Sequence, residues 1–359
     1  MSRIHRNCQV IQAYFANEPR FEYKRMIASG NYGTAHQIRY IDDDKPDLKE
    51  FLVKRAYDTE EAEAALRVER GHLMTMRGSR HIVQIIDIQN NPLANGPPPN
   101  IAGEWLVLEW IPNGTLEHFM NNAMDLGIEQ LPNRLLWRFF FCLLRACNAM
   151  AWPSNGVSEQ AEEPKNVPPS TFEHNDLHRG NVLFGDFLAD QEHGFSPIMR
   201  IIDFGLAGQW AWANGGSHGV PGNLWDIGIL MVKLITMDPY AKVKRPGEGE
   251  PYLFDFQGER LPTQAHTILE ARDGGESLQW LDFAIILLVA RCLATDPARR
   301  PTLNQLYTMV TYGINKDHTR YPGVDLEQDD RIKKLCQEIL LGPPPPPPGA
   351  GPPPIIISS

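Results

Sequence analysis

Two short stretches in the middle of the chain carry polar residues whose types and order suit phosphate chemistry. In His174-Asn175-Asp176-Leu177-His178-Arg179-Gly180-Asn181, an aspartate and an asparagine lie five residues apart. Asp176 can accept the proton of an attacking hydroxyl group while Asn181 binds a metal ion. In Ile201-Ile202-Asp203-Phe204-Gly205, a carboxylate follows a predicted strand, where a hard cation that bridges phosphates would find an oxygen ligand. Either stretch alone fits an ordinary turn, but their occurrence together in this order favours phosphoryl transfer.

A glycine-containing turn and a lysine precede these two stretches. Ala28-Ser29-Gly30-Asn31-Tyr32-Gly33-Thr34-Ala35 lies between two predicted strands, and glycines allow such a turn to close over phosphates. Turns of this kind also occur in many unrelated proteins. Lys54 ends the next predicted strand, where its ammonium group could face phosphate. Glu69, in the helix that follows, is the carboxylate we expect to orient this lysine, with Glu61 and Glu63 as competitors.

The elements predicted around these residues fall into two groups. Short strands and one helix come first, and helices dominate from residue 116 onward. The strands are predicted at 21–28, 34–40, 50–55, 82–88 and 105–110. The helices are predicted at 60–76, 135–150, 224–236, 278–294 and 329–341.

Together these features resemble the eukaryotic protein-kinase family from about residue 21 to about residue 309. The resemblance implies an α+β, bilobal, protein-kinase-like fold, with a small antiparallel β N-lobe containing one helix and a larger, mainly α C-lobe. The implied organisation is an N-terminal extension at 1–20, the N-lobe at 21–109, the C-lobe at 110–312 with an exposed insertion at 152–171, a helical extension at 313–341, and a disordered Pro-rich tail at 342–359.

The resemblance also implies ATP and Mg²⁺ as cofactors. Asp176 would be the catalytic base, Lys54 and Glu69 the ion pair that positions phosphates, and Asn181 and Asp203 the metal ligands. The implied ATP contacts are Ala28, Gly30, Gly33, Ala35, Leu52, Lys54, the back-pocket residue Leu108, the hinge residues Glu109 and Ile111, and Leu183.

Two further positions take their expected roles from the same resemblance. Asp226 matches the helix aspartate that holds the backbone of the catalytic loop, and Arg300 matches an arginine that normally pairs with a glutamate. His178 stands where Ser/Thr kinases have a lysine, so either His178 or the adjacent Arg179 would supply the missing positive charge.

The segment that follows Asp203 departs from the family pattern. Asn175 replaces an arginine that often binds an activation-loop phosphate, and Ser217 is the only hydroxyl residue between Asp203 and Asp226. The segment is short and contains no Ala-Pro-Glu. These departures predict no phosphorylation switch, a reduced platform for a peptide substrate, and no partner of the expected kind for Arg300.

Three functions are consistent with this sequence. The first is a protein kinase acting on Ser/Thr hydroxyl groups of a protein substrate. The second is a small-molecule kinase with a small-alcohol acceptor, because residues 174–181 are close to the His-Gly-Asp-Leu-His-Pro-Gly-Asn pattern of aminoglycoside and choline phosphotransferases. The third is a nucleotide-binding pseudokinase that acts as a scaffold.

Composition limits the partners and the compartment. The net charge of −10 argues against a nucleic-acid partner. The longest apolar run, 283–290, is too short to span a membrane. The five cysteines are scattered, with no Cys/His cluster at metal-ligand spacing, which predicts reduced thiols in the cytoplasm or nucleus. The Pro-rich tail is either inert or a ligand for an SH3-, WW- or profilin-like partner.

Overall fold

The computed structural model describes residues 2–41, 50–86, 103–155, 162–209, 219–274 and 277–343. The described chain is α+β, with a small antiparallel sheet near the N-terminus and a helical region after it. The strands are β1 (Phe21–Ser29), β2 (Gly33–Tyr40), β3 (Glu50–Ala56), β4 (Trp105–Glu109), β5 (Phe172–Glu173), β6 (Val182–Phe184), β7 (Met199–Ile201), β8 (Gly208–Gln209), β9 (Tyr252–Phe256) and β10 (Glu259–Thr263). The helices are α1 (Arg3–Ala16), α2 (Glu60–Thr75), α3 (Leu116–Asp125), α4 (Asn133–Ala151), α5 (Val220–Thr236), α6 (His266–Asp273), α7 (Phe283–Cys292), α8 (Leu303–Ile314) and α9 (Asp329–Leu341).

The N-terminal sheet has the strand order β1-β2-β3-β4, and all neighbouring strands are antiparallel. Successive side chains of a strand face opposite sides of a sheet. Along β3, Phe51 and Val53 are fully buried on one side of the sheet. Leu52 and Lys54 face the other side and line a cleft. The alternation in β3 therefore places the predicted lysine on the cleft side.

Helix α1 covers the outer side of this sheet. Its apolar residues Ile11 and Phe15 are buried against Trp105 and the aromatic side chains of β1 and β3. The buried side chain of Asn7 donates hydrogen bonds of 3.0 Å to Thr34 Oγ1 and to the carbonyl of Arg55. Helix α1, within the stretch 1–20 that was predicted only as an extension, thus contributes to the core of the sheet.

Helix α4 is the centre of the helical region. It is longer than the predicted 135–150, and all of its residues except Arg134 are buried. A helix that is apolar on all sides is typical of a protein interior. Helices α5 and α8 pack against it, and α7 packs against α5, so α4 supports the elements that carry the candidate site.

Two predicted elements are wrong or shorter than expected. Within the described residues, the region predicted as a strand at 82–88 forms only isolated bridges from Ile82 to Ile201 and from Ile85 to Leu108. The side-chain amide of Gln84 forms hydrogen bonds with local backbone groups there. It accepts from Gly78 N at 2.7 Å and donates to two nearby carbonyls. The helix predicted at 278–294 begins only at residue 283.

The late start of α7 has a local cause. The side chain of Asp282 accepts a hydrogen bond of 3.0 Å from Ala284 N and so caps the helix at this point. The start of α5 is shifted in the other direction, from the predicted 224 to Val220, with Pro221 in its first turn. Helix α9 has the predicted bounds 329–341.

Most described residues of the predicted insertion 152–171 are partly or fully exposed, as expected, but Glu162 is buried. The Pro-rich tail beyond residue 343 lies outside the described residues. No helix in the described part of the chain has the length and apolar character needed to cross a membrane.

Candidate active site

The structure brings Lys54, Glu69 and Asp203 together across the cleft. Lys54 Nζ lies 2.6 Å from Glu69 Oε1 and 3.2 Å from Asp203 Oδ1. Burial alone would lower the pKa of Lys54, but the charges of Glu69 and Asp203 outweigh burial and raise this pKa above its ordinary value. Lys54 is therefore an ammonium group held between two carboxylates, the form that binds phosphate.

Helical periodicity explains why Glu69 is the partner of Lys54. The buried face of α2 repeats at helical spacing, and Glu69 lies on it. The two competing glutamates do not lie on this face. Glu61 is exposed, and Glu63 lies 3.6 Å from Arg67 on the surface of the helix. The predicted choice of Glu69 is confirmed as the lysine's neighbour.

Asp176 and Asn181 lie next to each other in the loop between β5 and β6. Asn181 Nδ2 donates hydrogen bonds to the carbonyl of Asp176 at 2.9 Å and to its Oδ2 at 3.3 Å. His178 Nε2 lies 3.7 Å from the same Oδ2. Arg179, the alternative source of positive charge, instead bonds Glu117 at 3.0 Å. Of these two residues, His178 is therefore the one that lies beside the Asp176 carboxylate.

His174 connects this loop to the strand that precedes Asp203. Burial lowers the pKa of His174 to about 4, so the ring is neutral. Its Nε2 lies 3.0 Å from the carbonyl of Ile202, and its Nδ1 accepts from Asp176 N at 3.3 Å. These bonds require the proton on Nε2. A neutral histidine thus fixes the backbone positions of Asp176 and Ile202 relative to each other.

The β6–β7 ladder places Asn181 beside Asp203. Val182 pairs with Ile201, and Ile202 N donates to the carbonyl of Asn181 at 2.9 Å. Asp203 itself has φ +64°, in the left-handed region that non-glycine residues seldom occupy. Such strain is found most often at functional positions. Here it accompanies a carboxylate directed at Lys54.

A cleft of about 800 Å³ lies between the inner side of the sheet and the helical region. In it, Leu52 pairs with Leu108, and Ala35 pairs with Lys54, across the sheet. Most of the sequence-predicted ligand contacts line this cleft, namely Ala28, Ala35, Leu52, Lys54, Leu108, Glu109, Ile111, Asn181, Leu183 and Asp203.

The predicted glycines line an adjoining pocket of about 300 Å³ that also includes Lys54, Glu69 and Asp203. A Cβ atom on Gly33 would lie 2.2 Å from the carbonyl oxygen of Arg55, so strand packing alone requires this glycine. A Cβ atom on Gly30 would meet nothing within 4 Å. The space next to Gly30 is therefore open, and packing does not require a glycine there.

Sequence reasoning missed the contribution of α9 to the cleft. Leu340 and Leu341, at the end of this helix, line the cleft. Asn122 of α3 holds them there by donating a hydrogen bond of 2.8 Å to the carbonyl of Ile339. The helix itself was predicted, but its packing partner is about 217 residues away in sequence, and no local pattern indicates so distant a contact.

The role predicted for Asp226 is taken by Asn223, one turn earlier on α5. Asn223 Oδ1 accepts from His174 N at 3.0 Å, and its Nδ2 donates to the carbonyl of Phe172 at 3.0 Å. Burial, with a smaller contribution from Glu173, raises the pKa of Asp226 to about 7. Asn223 lay just outside the predicted helix, and Pro221 was the signal that the helix begins earlier.

The side chains of Arg300 and Asn175 donate hydrogen bonds to backbone carbonyl groups. Arg300 donates to the carbonyl of Pro221 at 2.6 Å, and its guanidinium group lies 4.8 Å from the ring centre of Trp225. Asn175 Nδ2 donates to the carbonyl of Leu206 at 3.1 Å. Asn175 therefore links the loop 174–181 to the segment after Asp203, where an arginine was expected to do so through phosphate.

Replacing Asn223 by leucine is expected to destabilise the protein by about 2–5 kcal/mol. The change leaves His174 N and the Phe172 carbonyl without partners in a fully buried position, and each such group costs about 1–3 kcal/mol. Urea unfolding would measure the loss. Asp226→Asn is the matched control and should leave stability unchanged or slightly higher. A larger loss in this control than in Asn223→Leu would contradict the assignment.

A scan against models of known protein families found no match for this chain. A search of curated proteins also found no match. The functional assignment of the cleft therefore depends on its residues and their geometry.

Proposed function

We propose that this protein is an ATP-dependent protein kinase with a bilobal, protein-kinase-like fold that transfers the γ-phosphate to Ser/Thr hydroxyl groups. The observation that carries the proposal is the contact between Lys54 and Asp203, which are 149 residues apart in sequence and 3.2 Å apart in space. Glu69 is a second carboxylate partner of Lys54, at 2.6 Å from its Nζ. Surface ion pairs are common, but a partly buried pair where a glycine turn meets a nucleotide-sized cleft suits phosphate binding.

The cleft divides into an apolar part and a charged part. The apolar part, with Ala35 and Leu52 on the sheet and Leu183 below them, suits the adenine ring. The backbone after β4, at Glu109 and Ile111, would bind the polar edge of the ring. The charged part, around Lys54, would then receive the phosphates.

The residues at the inner end of the cleft fit Mg²⁺. Asp203 offers a carboxylate, and Asn181 turns its NH₂ group towards Asp176, so its amide oxygen faces away from that residue. Oxygen ligands of this type suit a hard cation. When bound, Mg²⁺ would neutralise charge on the phosphates.

Asp176 is placed to take the proton from the acceptor hydroxyl. Its side chain is 41% exposed, so an acceptor can reach it from solvent. His174 and Asn181 hold its backbone and carboxylate. His178, when protonated, would add positive charge next to the transferred phosphate.

A small-molecule kinase is the second candidate. Helix α5 begins at Val220, a short distance after Asp203, which leaves little chain for a peptide platform. The sequence at 174–181 also favours a small-alcohol acceptor, because it is close to the pattern of aminoglycoside and choline phosphotransferases.

Radiolabelled ATP with Mg²⁺ and a mixed panel of proteins, peptides and small alcohols would separate these functions. We expect label on Ser/Thr of a protein acceptor, and far slower labelling with an Asp176→Asn preparation. Label on small alcohols alone would replace the first function by the second. Nucleotide binding without transfer to any acceptor, water included, would identify a pseudokinase.

A further inference from the structure

Three side chains that are far apart in sequence meet in the interior, away from the cleft. They are His81 in the turn after α2, Cys142 in the middle of α4, and His193 in the turn between β6 and β7, and each is at most 2% exposed. His81 Nε2 lies 3.3 Å from His193 Nε2, which lies 3.6 Å from Cys142 Sγ. All three atoms lie within 4.8 Å of one another. One thiol and two imidazoles thus point at a common centre.

The other nitrogen of each ring faces a carboxylate. His81 Nδ1 is paired with Glu162, and His193 Nδ1 lies 3.2 Å from Asp190 Oδ1. With both rings neutral, a carboxylate at Nδ1 holds the proton there and leaves the Nε2 lone pair available to a cation at the centre. The two Nε2 atoms, 3.3 Å apart, could then bind the same cation. Protein histidines that bind metal have this outer carboxylate or a similar acceptor.

The distances agree with tetrahedral coordination of zinc. Zn–N bonds of about 2.0–2.1 Å and Zn–S bonds of about 2.3 Å, at tetrahedral angles, separate two nitrogens by about 3.3–3.4 Å and a nitrogen from a sulfur by about 3.6 Å. The corresponding distances here are 3.3 Å and 3.6 Å. Two of the three separations therefore match tetrahedral zinc, and the third, between His81 Nε2 and Cys142 Sγ, is within 4.8 Å.

Further contacts hold the two outer acidic residues in place. Arg80 lies 2.7 Å from Asp190 Oδ2, and Arg145 donates a hydrogen bond of 3.2 Å to the backbone carbonyl of Glu162.

We propose that His81, Cys142 and His193 form a zinc site, with water in the fourth coordination position. A thiolate with two imidazoles suits Zn²⁺ and excludes Mg²⁺ and Ca²⁺, which require oxygen ligands. The sequence showed no metal-ligand spacing because His81 and His193 are 112 residues apart.

The site joins three elements that also position the cleft. The carbonyl of His81 accepts a hydrogen bond of 2.9 Å from Ile201 N, two residues before Asp203. Zinc would therefore fix the turn after α2 against α4 and β7. We expect bound zinc to increase the stability of the fold. The proposal of this site does not rest on the proposed kinase activity.

The test uses the full chain, expressed without a polyhistidine tag in zinc-supplemented medium. Mass spectrometry of metal content should give about one zinc per chain for the wild type. Cys142→Ser should lose most of this zinc. Cys147→Ser is the matched control, because Cys147 is a buried free cysteine on the same helix and should keep it. Equal zinc in the Cys142→Ser and wild-type proteins would overturn the proposal.

Cobalt substitution gives a second readout that does not depend on a variant's folding. After chelation and reloading with Co²⁺, the wild type should show the visible bands of tetrahedral cobalt and a near-ultraviolet thiolate charge-transfer band. His193→Gln, if folded, should lose both. A wild-type protein that takes up no Co²⁺ or Zn²⁺, or that binds cobalt without the thiolate band, would refute the site.

Discussion

Replacing Asp203 by asparagine is expected to abolish magnesium-dependent phosphate transfer while the chain stays folded. The change removes the anionic ligand of the proposed metal site. Metal stabilisation of the transition state is worth several kcal/mol, and each 1.36 kcal/mol is about a tenfold change in rate. We therefore expect kcat to fall at least about a thousandfold. Steady-state kinetics over a range of Mg²⁺ concentrations would measure the fall.

The structure explains why this variant should fold. Asparagine tolerates the left-handed conformation at φ +64° that Asp203 adopts. Lys54 keeps Glu69 as a partner at 2.6 Å, so no buried cation is left alone. Asp255→Asn is a matched control because it removes the same charge from an exposed position on β9. Turnover of Asp203→Asn within tenfold of this control would contradict the assignment.

Local periodicity was enough to predict the charged part of the candidate site. Alternation along β3 places Lys54 on the cleft side, and helical spacing places Glu69 on the buried face of α2. Both elements are short and strongly patterned, so their facing residues could be read from the sequence. Asp203 could be placed because it follows a strand whose partner, β6, directly follows Asn181.

Contacts between distant elements could not be read in this way. Helix α1 packs over Phe51 and Trp105, and α9 packs beside the cleft. Each contact joins segments that are far apart in sequence, and no local sequence pattern indicates it. The hairpin of β9 and β10 was missed for another reason. Its turn, Gln257-Gly258, has positive φ at both residues, and glutamine is an unusual choice there.

The exchange of roles between Asp226 and Asn223 has a chemical reason. The chain before Asp176 presents one donor, His174 N, and one acceptor, the Phe172 carbonyl. An amide can satisfy both groups at once, whereas an ionised carboxylate can only accept. A search for a carboxylate at this position therefore selects the wrong residue. A search for a side chain that can both accept and donate would have identified Asn223.

The proposed zinc site shows the same limit at longer range. A scan for ligands by spacing detects pairs that one turn or one helix brings together. Cys142 and His193 are 51 residues apart, and only the packing of the turn after β6 on α4 makes them neighbours.

Replacing Asp176 by asparagine is expected to lower the rate of transfer about 10²–10⁴-fold and to leave binding of Mg²⁺–ATP unchanged. The variant removes the proton acceptor but keeps the shape of the loop. The hydrogen bonds of His174 and Asn181 to the Asp176 backbone do not involve the carboxylate. Rapid-mix measurements of a single turnover, together with nucleotide titrations, would separate the two quantities.

Comparison of the two aspartate variants tests whether Asp203 acts in metal binding and Asp176 in proton transfer. In Asp203→Asn, any residual transfer should need higher Mg²⁺ concentrations, because the variant lacks a proposed metal ligand, whereas Asp176→Asn should retain the wild-type Mg²⁺ dependence at a lower rate. His178→Gln should have a smaller effect than either, because His178 lies 3.7 Å from Asp176 Oδ2 on an exposed part of the loop. If Asp176→Asn lost nucleotide binding to the same degree as transfer, Asp176 would be a structural residue of the loop, and a different group would have to accept the proton.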